Sequence, residues 1–177
     1  TSINLVEGTT NTLSDGSAEY SDDYLECAVL HSKDDMTIKG SGTLNITANT
    51  QYAIHCSNDL KINGGNINIT TSLADAVRGK TSVTVKDGNI TIDSAGDGIK
   101  STKGDVSITG GKITIAAEND AVQAETNLAV SGGEVYAYGA RSFTAGTDYT
   151  VDITGGTAVG TSKEEFTNTA GITVNSM

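Results

Sequence analysis

The sequence predicts an all-β chain wound into a parallel β-helix, a solenoid of about six coils of 21–24 residues. Three observations predict it. Turn pairs recur at a fixed period: Gly64-Gly65, Asp87-Gly88, Gly110-Gly111, Gly132-Gly133 and Gly155-Gly156 step by 23, 23, 22 and 23 residues. On both sides of each pair lie short stretches that alternate aliphatic and polar residues, the pattern of a strand with one buried face. A further apolar row, Leu30, Ile54, Val77, Ile99, Val122 and Phe143, repeats at steps of 21 to 24.

Each element of a coil follows from that repeat. The strand before the turn reads Met36-Thr-Ile38, Leu60-Lys-Ile62, Val83-Thr-Val85, Val106-Ser-Ile108 and Leu128-Ala-Val130. The strand after it reads Leu44-Asn-Ile46, Ile67-Asn-Ile69, Ile90-Thr-Ile92, Ile113-Thr-Ile115 and Val135-Tyr-Ala137, and the Leu30 row supplies the third. No coil can bury three apolar rows alone, whereas coils stacked about 4.8 Å apart pair their backbones and align equivalent side chains as ladders. The period does not set the handedness; right-handed is expected by analogy with the common crossover preference. An antiparallel sandwich would not hold every turn at one period.

Residues 1–177 read as one domain, with 1–27 as a first coil or cap and 28–177 as the repeated coils. A degenerate first turn, Gly40-Ser41-Gly42, precedes the regular ones, and residues 1–32 hold six acids and no Lys or Arg. At the other end "TAGITVNSM" predicts another strand without an obvious cap, so further domains of a larger surface protein or end-to-end self-association are expected partners of the open end.

Composition narrows the partners. Two Phe, six Tyr and no Trp make the core aliphatic, and 21 Gly with no Pro suit tight, regular corners. Eleven basic against 22 acidic residues leave a net charge of −11, which argues against nucleic acid and anionic membrane as partners. No apolar run reaches transmembrane length, and Thr1 opens a polar stretch rather than a signal peptide. Cys27 and Cys56 fall at different coil positions and are expected to be free or buried thiols rather than a disulfide.

Function is sought in the columns that a solenoid does not require. Asp75, Asp97 and Asp120 recur in "ADAVR", "GDGIK" and "NDAVQ", each two residues before an inward aliphatic. Stacked carboxylates repel one another by about 1 kcal/mol in water and more in a lower dielectric. Two compensations stand open: Ca²⁺, held by Asp75, Asp97, Asn119 and Asp120, or hydrogen bonds from the next corner's backbone amides. Beside the acids runs a donor row, His31, His55, Arg78, Lys100 and Gln123, expected to face outward. It would suit a long acidic ligand; alternatively Arg78 and Lys100 merely neutralise the acids. Outward ladders of short polar groups, Asn45, Asn68, Thr91, Thr114, Tyr136 and Thr47, Thr70, Asp93, Ala116, Tyr138, place two aromatics together, either as a platform for a sugar ring or as a surface covered by the C-terminal segment.

The stretches "AIHCSNDLKINGGNINIT", "GDGIKSTKGDVSITGGKITI" and "NDAVQAETNLAVSGGEVYAY", with the opening "INLVEGTTNTLSDGS" and "GSGTLNIT", resemble the carbohydrate-binding β-helix family of bacterial surface and secreted proteins, which is similar in fold to pectate lyases. The resemblance spans most of the chain. It implies a right-handed β-helix, bound Ca²⁺, and recognition of plant cell-wall polymers such as cellulose and acidic pectin-like sugars. The second coil departs from the pattern, with "TQYAI" where an Asp-Gly corner is usual.

The expected function is therefore non-catalytic, calcium-assisted binding of plant cell-wall polysaccharide by a secreted or cell-surface bacterial protein. His55, Arg78, Lys100, Gln123, Tyr136 and Tyr138 are the expected sugar contacts, and no catalytic residue is assigned. A calcium-dependent pectate-lyase-like enzyme is the alternative, with Arg78 or Lys100 as base. A purely structural module of a surface adhesin or fibre is the third reading. Ice binding fits poorly, because Lys39, Lys61 and Lys86 interrupt one face.

Overall fold

The structure is a computed structural model, and it describes residues 1–16, 27–161 and 173–176. Every described element is a strand, and every pairing between strands is parallel. The first coil is β1 (Ser2–Leu5), β2 (Thr10–Ser14) and β3 (Ala28–Ser32); the second is β4 (Met36–Gly40), β5 (Thr43–Ala48) and β6 (Tyr52–Cys56). The third and fourth are β7 (Asp59–Thr71) with β8 (Val77–Gly79), and β9 (Ser82–Ser94) with β10 (Ile99–Ser101). The fifth is β11 (Val106–Ile108), β12 (Lys112–Ala117) and β13 (Asp120–Gln123), and the sixth β14 (Leu128–Val130), β15 (Glu134–Tyr138) and β16 (Arg141–Thr144). A partial coil follows, β17 (Val151–Ile153) and β18 (Thr157–Gly160), and β19 (Thr173–Ser176) pairs with β18. The chain is thus a β-solenoid of about six turns.

The registers reproduce the sequence rows. Ile46 pairs with Ile69, Ile69 with Ile92 and Ile92 with Ile115; on the third face Ile54, Val77, Ile99, Val122 and Phe143 follow one another. All of these side chains are buried, so the core is a set of aliphatic stacks running along the axis. β1 and β2 pair with β4 and β5, which makes residues 2–14 part of the first coil; residues 17–26 of the expected cap lie outside the described residues.

One corner differs from the expectation. The glycine pairs were expected to interrupt the strands, yet β7 and β9 run unbroken through theirs and join two faces into a single 13-stranded sheet. The bend is taken up by a register shift between Ile62 and Asn66 and by glycines at positive φ, Gly65 at 101° in β7 and Gly88 at 123° in β9. Stacking fixes the residue type. A Cβ on Gly111 would lie 2.8 Å from the Gly88 carbonyl oxygen, and one on Gly133 2.6 Å from that of Gly111. The third face is a separate six-stranded sheet.

Candidate functional site

The corner that leads into the third face carries the acidic column. Asp75, Asp97 and Asp120 stack in consecutive coils and are only 7, 4 and 4% exposed, so each carboxylate must find partners inside the protein. Asp75 and Asp97 find them in the same way. The Asp97 N–H donates to Asp75 Oδ1 at 3.0 Å, and the Asp120 N–H donates to Asp97 Oδ1 at 2.9 Å. The second oxygen takes a cation: Arg78 Nη1 lies 3.0 Å from Asp75 Oδ2, and Lys100 Nζ lies 2.5 Å from Asp97 Oδ2. Asp120 has Gln123 where the other two have a cation, and Arg141 from the next coil replaces it, with Nε 2.8 Å from Oδ1 and Nη2 2.7 Å from Oδ2.

The column is therefore three stacked ion pairs, and its carboxylates are latched to the neighbouring coils. Both of the non-metal accounts of these residues, amide acceptance and neutralisation, are realised together. As arranged, Asp75, Asp97 and Asp120 do not fit Ca²⁺: Asp75 and Asp97 accept from a backbone N–H and a cation, Asp120 accepts from Arg141 at both oxygens, and a divalent ion would sit against three positive side chains. Asn119 is exposed and stands at the rim. Among the described residues no group of three or more His, Cys, Asp or Glu side chains is placed to hold a metal.

The donor row is less outward than expected. His55 is 5% exposed, because the His31 ring stacks on it at 5.0 Å between centroids and 2° between planes, while Tyr52 tilts against it at 5.4 Å. It is not available to a sugar. Arg78 folds back over Tyr52, 4.6 Å from the ring centroid, and donates to the Tyr52 hydroxyl at 3.0 Å. Lys100, Gln123, Asp97, Asn119, Asp120 and Arg141 do come together, around an open cleft of about 310 Å³. Tyr136 and Tyr138 lie elsewhere, half-buried on the outward side of β15, with Thr114 and Ala116 of β12 as their neighbours in register.

Sequence reasoning missed three contributors. Arg141 occupies the coil position of the aspartates, in register with Asp120, and an inverted charge at that position was the signal. Tyr52 occupies the same position at the other end, in the departing "TQYAI" coil. Asp15, from the "LSDG" stretch, binds the corner of the next coil: its oxygens accept from the Asn49 N–H at 2.6 Å, the Thr50 N–H at 2.9 Å and the Thr50 hydroxyl at 2.5 Å. Burial pushes Asp15 up, but these hydrogen bonds together outweigh it and hold the carboxyl below its ordinary range. Asp105 is likewise held low, chiefly by the Thr126 hydroxyl, against the effect of burial and with help from the Asn127 N–H at 3.0 Å. Both cysteines are free; burial raises Cys56, whose thiol donates to the Asp34 and Asp59 carbonyls.

Fold and ladders together define a class: a β-solenoid with an aliphatic core, three stacked ion pairs at one corner and long polar arrays on its outward faces. Comparison with known proteins places it within that class. A family model described as "Carbohydrate-binding domain-containing protein" matches residues 1–177, and the chain belongs to that family. A curated carbohydrate-binding domain-containing protein of Acetivibrio thermocellus is 46% identical over 66 residues, which are 36% of this chain and 23% of that protein. The matched part is thus less than a quarter of that relative's length. Among solved structures, the polysaccharide lyase-like protein from C. thermocellum, solved as a gadolinium derivative, is similar over 99% of this chain and 67% of its own, with a TM-score of 0.72 and 31% identity.

Proposed function

We propose that this chain is a non-catalytic module that binds plant cell-wall polysaccharide outside the bacterial cell, and that it favours a neutral, cellulose-like chain over an acidic one. The observation that carries this reading is the pairing of the corner cations: Arg78 with Asp75, Lys100 with Asp97 and Arg141 with Asp120. A lyase needs a base free to approach the reacting carbon, whereas Arg78 and Lys100 are turned back onto their aspartates. The same pairing removes the positive charge an acidic polymer would need on a chain of net charge −11. A neutral glycan asks only for hydrogen-bonding groups and an aromatic plane, which the polar ladders and Tyr136 with Tyr138 supply. Membership of a carbohydrate-binding family supports the ligand class. Calcium assistance is not required in this reading, because the carboxylates expected to hold the ion already have partners.

One observation favours a second reading, a uronate lyase: the similar solved structure is described as polysaccharide lyase-like. In that case Arg78 or Lys100 would first have to leave its aspartate. Calorimetry of the chain with cellohexaose and with polygalacturonate, with and without Ca²⁺, separates the readings when absorbance of unsaturated products is followed in parallel. Calcium-independent binding of cellohexaose without product is the expected result. Product formation would establish the lyase. Absence of binding to either glycan would leave a structural module.

A further inference from the structure

A second concavity lies along the glycine corner, away from the acidic column. It is an open groove of about 680 Å³ that runs from Gly40 to Gly133, four coil steps or about 19 Å along the solenoid axis. The glycines are there for stacking, since an added Cβ would strike the carbonyl of the preceding coil rather than fill the groove. The glycines alone would say nothing about a ligand. What matters is the pair of walls they leave on either side.

One wall is Asn63 and Asp87, neighbours in register; the other is Asn66, Asn89, Lys112 and Glu134, also in register, and all six are exposed. Polar residues elsewhere on this solenoid spend their hydrogen bonds between coils: Asn68 donates to Asn45 at 2.8 Å, Ser82 to Asp59 at 2.8 Å and Thr81 to Asn58 at 2.9 Å. The groove walls do so much less. The side-chain amides of Asn63 and Asn89 have no hydrogen-bond partner among the described residues, and Asp87 commits only Oδ1, to the Gly88 N–H at 2.8 Å. Asn66 reaches the Ser41 carbonyl at 3.2 Å, and Lys112 stands 3.8 Å from Glu134 with both side chains more than half exposed.

We infer that this groove is the sugar-binding subsite, and that it takes an extended neutral glycan lying parallel to the solenoid axis with about one pyranose unit per coil. The inference rests on the polysaccharide-binding reading and locates it. The coil rise of about 4.8 Å is close to the length of one sugar in an extended, equatorially linked chain. The Asn side-chain amides, the Lys112 ammonium and the Asp87 and Glu134 carboxylates along a backbone floor supply both donors and acceptors for sugar hydroxyls, while two acids against one lysine give an anionic chain no attraction. At one end the groove meets the aromatic platform, because Glu134 precedes Tyr136 and Tyr138 on the outward side of β15.

The test is calorimetry of the whole chain with cellohexaose, comparing the unaltered protein with the double variant Asn63→Ala/Asn89→Ala, alongside amide chemical shifts during titration. Loss of the two side-chain amides is expected to weaken binding about tenfold or more while the melting temperature stays unchanged. The backbone amides of Gly64, Gly88 and Gly111 are expected to shift on titration. If the unaltered chain binds and the double variant binds equally well with no shifts at the glycines, the groove assignment is overturned and the binding function survives. If the unaltered chain binds no cellohexaose, both are overturned.

Discussion

Replacing Asp97 with alanine removes the middle rung of the acidic column, and its cost can be worked from the contacts. The Asp120 N–H, buried and donating to Asp97 Oδ1 at 2.9 Å, loses its acceptor, a penalty of about 1–3 kcal/mol. Lys100 loses its carboxylate at 2.5 Å, but a quarter of its side chain is in water, so screening limits that part to about 1 kcal/mol. A total near 3 kcal/mol corresponds to a fall in melting temperature of roughly 6–12 °C for a chain of this size. Asp97→Asn separates the parts: an amide oxygen can still accept from Asp120 while the ion pair is lost, so a fall of roughly 2–4 °C is expected. Thermal unfolding followed by circular dichroism, in Ca²⁺ and in chelator, reads all of these. A melting temperature that rises with Ca²⁺ in the unaltered chain and not in Asp97→Ala would show that the column is a metal site and refute the reasoning. So would an alanine variant as stable as the unaltered chain.

Three further outcomes follow from other parts of the solenoid. Gly111→Ala forces a side chain into φ +90° against the Gly88 carbonyl, and a loss of about 2 kcal/mol, or roughly 4–8 °C in melting temperature, is expected. Asp15 and Asp105 have folded pKa values below the ordinary 3.8, so their stabilisation is complete above that value and is lost as pH falls through the lower folded ones. Melting temperature measured from about pH 5 to about pH 2 should fall less steeply in Asp105→Ala than in the unaltered chain. Burial holds Cys56 in the thiol form, so alkylation at mildly alkaline pH should leave it unmodified until the chain is denatured, as a mass measurement of labelled peptides would show.

Period and alternation made the solenoid legible because both are properties of the backbone repeated coil after coil. Ile67, Ile90 and Ile113 could be aligned on paper, and they pair in register in the fold. The site was legible only in part. The aspartates were found as a column, but what they bind depends on which side chain folds back over which carboxylate. The pairings Asp75 with Arg78 and Asp97 with Lys100 were visible as a spacing of three; the replacement of Gln123 by Arg141 was not, because it crosses coils. His55 was expected outside since its neighbour Ile54 points in. Alternation gives direction and not cover, and the cover comes from His31 and Tyr52. The groove was missed for the opposite reason: its floor consists of residues chosen for backbone geometry, so the polar walls read as ordinary ladder members.

The acidic column also shows how a repeat limits itself. A like-charged residue copied once per coil adds, at each copy, a repulsion of about 3.5 kcal/mol between neighbours about 4.8 Å apart at an effective dielectric of about 20. Three copies are tolerated because each brings, or borrows, a cation. At one end the position is taken by Tyr52, which receives Arg78; at the other by Arg141, which turns back onto Asp120. The column is thus closed electrically at both ends, and the departures from the repeat, "TQYAI" and Arg141, are what close it. The glycine corner has no such limit, since uncharged backbone can be stacked indefinitely. The proposed glycan groove accordingly lies along the glycines rather than at three self-neutralised aspartates.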